Sequence, residues 1–235
     1  MKRIFTQTLA VLAMAAFSST AMAGSVVINP TNFPDDNLRE YLLDFDWDGN
    51  GILEGDEYDS LGEPWITDVT NFKGLELLSS IWFLHIGYSS PDENPLATVV
   101  KTIDLSMLPD VEYLYVYGNY GLETLDISHN TKLRSLYISD CPVLKDIKWS
   151  SSLQRMDLTD LQSLSTINGN DLPNLTEFNV TSSGVESSVS NINFAGHQSI
   201  THIEINGNED FTQNVNTFHV QVKSCVICLF LFDLF

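Results

Sequence analysis

Oxygen-bearing side chains recur at alternate positions between Asp46 and Glu57, where the sequence is D-W-D-G-N-G-I-L-E-G-D-E. Calcium takes about six to eight oxygen ligands. A twelve-residue loop provides them when it has acids or amides at positions 1, 3 and 5, glycine at 6 and glutamate at 12. The predicted calcium ligands are the side chains of Asp46, Asp48, Asn50, Glu54 and Glu57 and the backbone carbonyl of Ile52. Glu54 would bind directly or through water, and Glu57 with both oxygens.

This arrangement is that of an EF-hand loop, and helical segments should flank it. Pro34 suits a first helical position, and Asp35 suits the positive end of a helix dipole. One apolar helix face is predicted from Leu38, Tyr41, Leu42 and Phe45. Gly62 and Pro64 should end the following helix early. Since sensor EF-hands work in pairs, a single loop favours a structural cap, and an acidic turn without calcium affinity is the alternative.

A second pattern, apolar-x-x-apolar-x-apolar-x-x-Asn, returns about every eleven residues along the rest of the chain. It occurs as V-E-Y-L-Y-V-Y-G-N from Val111, L-E-T-L-D-I-S-H-N from Leu122 and L-R-S-L-Y-I-S-D-C from Leu133. Looser copies begin at Val100, Leu144, Leu153, Leu164, Leu175 and Ile200. Repeats of this kind stack because none buries its apolar face alone. The pattern is the leucine-rich repeat signature and predicts a solenoid that serves as a binding scaffold.

The order of these motifs resembles secreted and surface leucine-rich repeat proteins of bacteria, in which a small calcium-loop cap precedes an internalin-like solenoid. The resemblance rests on I-N-P-T-N-F-P-D-D-N-L-R-E-Y-L from Ile28, the calcium loop, and N-F-K-G-L-E-L-L from Asn71. It covers roughly residues 26–210. It implies short parallel β-strands on a concave face, loops and short 3-10 turns on a convex face, and a small N-terminal helical EF-hand-like cap.

The N-terminus has the features of an export signal. Lys2 and Arg3 precede an apolar run, and Ala21-Met22-Ala23 is a small-x-small cleavage site. The run is too short for a membrane-spanning helix, so we predict an exported protein, secreted, periplasmic or at the cell surface, with no stable membrane span after cleavage. The predicted parts are residues 1–23 as signal peptide, 24–64 as EF-hand-like cap, 65–217 as leucine-rich repeats and 218–235 as apolar tail.

The apolar tail lacks the repeat pattern and the polar cap expected at the end of a solenoid. Three explanations remain open: a degenerate packing strand, a partner-binding strand, or a truncated reading frame, which we favour. Cys225 and Cys228 form a C-x-x-C there, with only His219 as a further nearby zinc ligand. A metal or redox role is therefore not expected. Cys141, at the end of a repeat, should be a buried structural residue.

The composition is strongly acidic, with 31 Asp and Glu residues against 11 Lys and Arg. Loss of Lys2 and Arg3 with the signal peptide would change the formal charge from −20 by two units, to −22. Such a charge disfavours binding to nucleic acids and to anionic membranes, while cationic partners remain compatible with it. Common hydrolase, nucleotide-binding and metalloprotease motifs are absent from the sequence, so we predict that the protein is not an enzyme.

Because eleven residues make half of a solenoid turn in this family, alternate repeats should form the concave strands. These are predicted to begin near Ile81, Val111, Leu133, Leu153, Leu175 and Ile200, with a surface loop inserted at Ser89–Pro95. Side chains alternate across a strand, so positions one, four and six should face the core. Positions three, five and seven should face the concave side.

Aromatic residues gather at the N-terminal end of this predicted concave side. The predicted ligand-binding residues are Phe83, His85, Tyr113, Tyr115, Tyr117, Tyr137 and Arg155. Exposed aromatic clusters favour stacking on sugars or anchoring of peptides, so the expected partner is an extracellular protein or glycan. A non-binding spacer, or a truncated fragment of a larger surface protein, is the alternative. The sequence does not determine the oligomeric state.

Overall fold

The computed structural model describes residues 24–88, 95–181, 191–194, 197–207, 217–220 and 226–231. The predicted signal peptide and nearly all of the predicted loop at 89–95 lie outside these residues. The strands are β1 (Ser25–Val27), β2 (Ile52–Glu54), β3 (Trp65–Thr67), β4 (Phe83–Gly87), β5 (Thr102–Asp104), β6 (Tyr113–Tyr117), β7 (Thr124–Asp126), β8 (Ser135–Ser139), β9 (Asp146–Lys148), β10 (Arg155–Thr159), β11 (Thr166–Asn168), β12 (Glu177–Thr181), β13 (Asn191–Phe194), β14 (His202–Gly207), β15 (Thr217–Val220) and β16 (Val226–Leu231). The α-helices are α1 (Asp36–Leu43) and α2 (Asp56–Asp59).

The N-terminal segment is less helical than the predicted cap. Asp35, not Pro34, marks the start of α1, since its carboxylate caps the helix by accepting the Leu38 N–H at 3.1 Å. Phe45 lies beyond the end of α1 at Leu43. The second helix, α2, is a single turn that continues into a 3-10 helix at Ser60–Gly62. This helical stretch ends at Gly62, as early as predicted. The helical EF-hand-like cap as a whole is not supported, since the antiparallel pair of β1 and β2 forms another part of this segment.

Eight parallel strands form the main sheet, in the order β16-β14-β12-β10-β8-β6-β4-β3. The six predicted concave strands are confirmed as β4, β6, β8, β10, β12 and β14. Position four of these strands forms one continuous row in register, and each of its side chains is completely buried. The row is Leu84, Leu114, Leu136, Met156, Phe178 and Ile203. The repeated apolar positions thus build a single core along the solenoid.

The opposite side of the solenoid contains strands where loops and 3-10 turns were predicted. Two parallel three-stranded sheets form there, β5-β7-β9 and β11-β13-β15. Each of the strands β5, β7 and β9 has its middle residue turned inward, as in Ile103 and Leu125, which are buried. The Thr102 and Thr124 hydroxyls bond across two of these strands at 2.8 Å. Backbone pairing between successive turns therefore replaces the predicted irregular structure on this side.

Two strands at the ends of the main sheet were not predicted as repeats. The first, β3, pairs with β4, and the last, β16, pairs with β14. The position of β16 corresponds to the degenerate packing strand among the three explanations for the tail. Cys228 lies in β16 of the main sheet and His219 in β15 of another sheet, while Cys225 lies outside the described residues. Cys141 is completely buried, as predicted.

Candidate functional site

The candidate binding surface is the solvent-facing side of the main sheet, here called the concave face. Positions three, five and seven of the strands project from it in three aligned rows. The central row, position five, runs His85, Tyr115, Tyr137, Asp157, Asn179 and Glu204. These are the neighbours expected from the repeat spacing, because each predicted strand pairs in register with the next.

Aromatic rings in these rows stack on one another at the N-terminal end of the face. The rings of Tyr115 and Tyr137 lie 4.2 Å apart at an interplanar angle of 11°. The Phe83 ring lies 5.4 Å from that of Tyr115, and the His85 ring lies 5.8 Å from Tyr115 and 4.8 Å from Tyr117. Ring separations of about 4.5–7 Å are favourable for aromatic pairs. The structure therefore brings these five predicted residues into one continuous contact network.

Two tryptophans that the sequence analysis did not select extend this network. Trp65, in β3, is 60% exposed, and its ring lies 4.3 Å from that of His85. Trp82 is 42% exposed and lies 5.6 Å from Tyr113 and 6.1 Å from Phe83. A signal for Trp65 was present in W-I-T, where the exposed Trp and Thr flank a buried Ile. We call the following residues the aromatic cluster: Trp65, Trp82, Phe83, His85, Tyr113, Tyr115, Tyr117 and Tyr137.

His85 is the only member of the aromatic cluster with an imidazole, and it lies among rings. Neither of its ring nitrogens has a hydrogen-bond partner among the described residues, although both atoms are buried. Burial lowers the pKa of His85 because the charged imidazolium loses hydration. The imidazole is therefore neutral near pH 7 and packs as an aromatic ring.

The C-terminal part of the concave face is polar, from β10 onward. Arg155 Nε donates a hydrogen bond to Glu177 Oε2 at 2.7 Å. This bond and a second one with Tyr137 raise the pKa of Arg155. The half-buried Asp157 accepts a hydrogen bond from Asn179 Nδ2 at 3.5 Å. Burial raises the pKa of its carboxyl, and that hydrogen bond opposes the shift.

A shallow groove marks the boundary between the aromatic and the polar parts. Its volume is about 220 Å³. Tyr115, Tyr117 and Tyr137 line one part of it, and Asp157 and Thr159 line the other. Ser139 lies between Tyr117 and Thr159 in the row of position seven, and all three residues line the groove. The small side chain of Ser139 leaves room there. Tyrosine side chains and an acidic residue therefore line the same groove.

The predicted calcium loop begins between α1 and α2, ends within α2, and contributes no strand to the main sheet. Carboxylate oxygens of Asp46, Asp48 and Glu57 all lie within 4.8 Å of one another. Glu57 is only 8% exposed, and its Oε1 accepts the Trp47 N–H at 2.8 Å. Gly51 has a φ of 77°, which glycine adopts without strain and which lets its N–H donate to Asp46 Oδ2 at 2.9 Å.

The remaining predicted calcium ligands surround this group of three carboxylates. Asn50 Oδ1 accepts the Ile52 N–H at 2.7 Å, and the Asn50 N–H donates to Asp48 Oδ1 at 3.0 Å. Glu54 is exposed and does not belong to the group of three. Directly after Ile52, the side chain of Leu53 is completely buried and pairs in register with Val26 of β1. All of the predicted calcium ligands are oxygen atoms, which a hard cation such as calcium prefers.

Solved structures that are similar to this chain include two internalins at low sequence identity. An internalin (InlF) from Listeria monocytogenes str. 4b F2365 shares 15% identity, with a TM-score of 0.30, over 92% of this chain and 82% of that one. The functional domain of InlJ from Listeria monocytogenes shares 14% identity, with a TM-score of 0.22, over 86% of this chain. The match spans 62% of the InlJ chain. No protein-family model and no curated protein matches the sequence.

Proposed function

We propose that this protein is an exported leucine-rich repeat binding protein whose concave face recognises an extracellular protein or glycan. The observation that carries this proposal is the aromatic cluster, in which large rings contact one another on the solvent side of the sheet. Tyr and Trp are the residues that most often dominate binding energy at interfaces. Trp65 and Trp82 are exposed and the other rings of the cluster are half-buried, so apolar ring surface remains in contact with water, which a bound partner would remove.

The core of the solenoid does not need these rings. Leu84, Leu114 and Leu136 already fill the buried side of the same strands, without exposure to solvent. By contrast, Trp65 is 60% exposed, although tryptophan has the largest apolar surface to bury. The aromatic cluster is therefore better explained by a partner than by stability.

We further propose that the Asp46–Glu57 loop binds calcium and that the ion stabilises the N-terminal segment. Carboxylates held within 4.8 Å of one another repel, and a divalent cation would turn this repulsion into attraction. Asp46 follows α1 and Glu57 belongs to α2, so a shared ion would tie the two helices together. The role of the ion would be structural, since none of these ligands belongs to the main sheet that carries the proposed binding surface.

We also propose that the protein is exported by an N-terminal signal peptide. The evidence for it is the N-terminal pattern of Lys2, Arg3, the apolar run and the Ala21-Met22-Ala23 site. Within the described ranges, no helix has both the length and the apolar character to cross a bilayer.

Binding is tested on an array of glycans and extracellular-matrix proteins, probed with the purified protein in calcium. We expect a hit that the double variant Tyr115→Ala, Tyr137→Ala loses. Thr181→Ala is the matched control, because Thr181 occupies the concave face at position seven in the polar part. Absence of any hit from a folded sample would favour the alternative, a structural spacer within a larger surface protein.

Calcium binding is tested by melting the protein with calcium and with a chelator. Saturation at a hundred times Kd should add about 2.7 kcal/mol to the free energy of unfolding. Asp46→Ala or Glu57→Ala should remove this gain. Asp56→Ala should keep it, because Asp56 neighbours Glu57 but is exposed and lies outside the group of three carboxylates. An identical melting temperature under both conditions would disprove the site.

A further inference from the structure

The groove at the boundary of the aromatic cluster has features of a subsite for one side chain. Its volume of about 220 Å³ is below the range of roughly 300–1,000 Å³ that is usual for sites of whole small molecules. It is open to solvent along the concave face. The stacked pair of Tyr115 and Tyr137 borders it, and Asp157 follows Tyr137 in the same row on the next strand.

The carboxylate of Asp157 is without a cationic partner among the described residues. Arg155 is in the same strand, but its guanidinium is engaged by Glu177 at 2.7 Å. The hydrogen bond from Asn179 to Asp157 is long, at 3.5 Å. Burial of a carboxylate has a cost in free energy that a neutral amide at this distance offsets only in part. Asp157 therefore favours an incoming positive charge.

The other walls of the groove also suit a cation. The faces of tyrosine rings carry negative electrostatic potential and attract guanidinium and ammonium groups. On the same face, the acids Asp157, Glu177 and Glu204 outnumber the one arginine, Arg155, and the chain as a whole has a formal charge of −20. An anionic ligand would meet repulsion here. A neutral sugar could donate hydroxyl hydrogen bonds to Asp157 but would leave its negative charge unbalanced.

We propose that this groove receives the side chain of one basic residue, arginine or lysine, from a protein partner. The stem of that side chain packs against Tyr115 and Tyr137, and its charge pairs with Asp157. Arginine is the better fit, because its planar guanidinium both stacks on aromatic rings and forms two parallel bonds to a carboxylate. This inference rests on the proposed binding function of the concave face, and it specifies a protein partner over a glycan.

The test is a titration of the protein with N-acetyl-arginine amide and with N-acetyl-citrulline amide, its neutral isostere. Binding is followed through the NMR signals of the tyrosine rings. We expect the arginine compound to shift the rings of Tyr115 and Tyr137 and to bind at least about tenfold more tightly than the citrulline compound. Added salt should reduce that difference, because the pairing is partly open to solvent.

Two variants test whether the charge of Asp157 causes the preference for arginine. Asp157→Asn keeps the shape of the side chain and should remove the preference for arginine over citrulline. Glu204→Gln, two strands further along the same row and outside the groove, should retain it. The melting temperature of each variant verifies that it is folded.

Equal affinity for the two compounds, no binding of the arginine compound, or an unchanged preference in Asp157→Asn would each overturn the proposal. Failure of the basic subsite alone can be distinguished from failure of the broader binding function. A partner on the array that binds through Tyr115 and Tyr137, but equally well to wild type and to Asp157→Asn, would keep the concave face as a binding surface and reject the basic subsite.

Discussion

The two ends of the concave face share one backbone but carry opposite chemistry. In β4, β6 and β8 the exposed rows are mainly aromatic, while in β10, β12 and β14 they contain Arg155, Asp157, Glu177 and Glu204. Below both ends, the row of position four is equally and completely buried. One set of repeat positions therefore fixes the fold, and the solvent-facing set can differ in chemistry from one end of the sheet to the other.

The two ends also satisfy their exposed groups in different ways. In the polar part, side chains pair with one another, as in the 2.7 Å contact of Arg155 with Glu177. In the aromatic part, rings contact rings, and Trp65 remains 60% exposed. Paired charges are well hydrated at an open surface, whereas exposed rings are not. The aromatic part therefore has more to gain from binding a partner.

The largest expected effect separates the two faces of a single strand. Leu114→Ala should lower the free energy of unfolding by about 2–5 kcal/mol, because Leu114 is completely buried and its loss leaves a cavity. Tyr115→Ala should cost no more than about 1.5 kcal/mol, mainly from its stacking on Tyr137. Denaturant unfolding measures both. Comparable losses of unfolding free energy in the two variants would mean that the aromatic cluster stabilises the fold as the core does. The cluster would then be no evidence for a binding surface.

A second prediction compares two equally exposed tryptophans. Trp65 is 60% exposed within the aromatic cluster, and Trp47 is 63% exposed in the predicted calcium loop. Trp65→Ala should weaken binding of a partner found on the array by about tenfold, or roughly 1.4 kcal/mol. Trp47→Ala should leave it unchanged, as measured by surface plasmon resonance. Equal losses would place the binding surface elsewhere.

A third prediction concerns pH and the neutral imidazole of the aromatic part. Because burial lowers the pKa of His85, the folded state takes up this proton less readily than the unfolded state. The contribution of neutral His85 to the free energy of unfolding is complete above the pKa of the unfolded state, about 6.5. This contribution is lost as the pH falls through that value and through the lower pKa of the folded state. The melting temperature should therefore fall by a few degrees on acidification.

His85→Gln tests this expectation by removing the titrating ring. The variant should show a smaller fall in melting temperature between neutral and mildly acidic solution than the wild type. His129→Gln, in a convex turn, controls for the loss of any one imidazole. The same acid sensitivity in His85→Gln and wild type would exclude His85 as its source.

The smallest effect is expected in the polar part. Arg155→Gln and Glu177→Gln, combined in a double-mutant cycle, should give a coupling energy of about 0–1 kcal/mol, since both side chains are exposed. Higher salt should reduce it further. A coupling energy well above that range would show that this ion pair contributes to stability as a buried pair does, and the polar part would no longer differ from the core in this respect.

Much of the concave face follows from the repeat spacing alone. Placing strands at Val111 and Leu133 brings Tyr115 beside Tyr137, and the two rings stack at 4.2 Å. Trp65 could not be found in this way, because its strand has only three residues and lies before the first clear repeat. Its place is decided by the pairing of Trp65 with His85 across the sheet. The strands of the convex side were missed because each has only three or four residues.

The repeat architecture and the buried rows follow from the amino-acid sequence alone, because they depend on periodicity. The prediction of a calcium loop likewise rests on local spacing. Only the tertiary structure decided that Arg155 pairs with Glu177 while Asp157 lacks a cationic partner among the described residues. It also decided that the nitrogens of His85 are enclosed by rings. Such pairings depend on side-chain direction and on contacts between turns, about twenty residues apart in sequence, which local pattern does not specify.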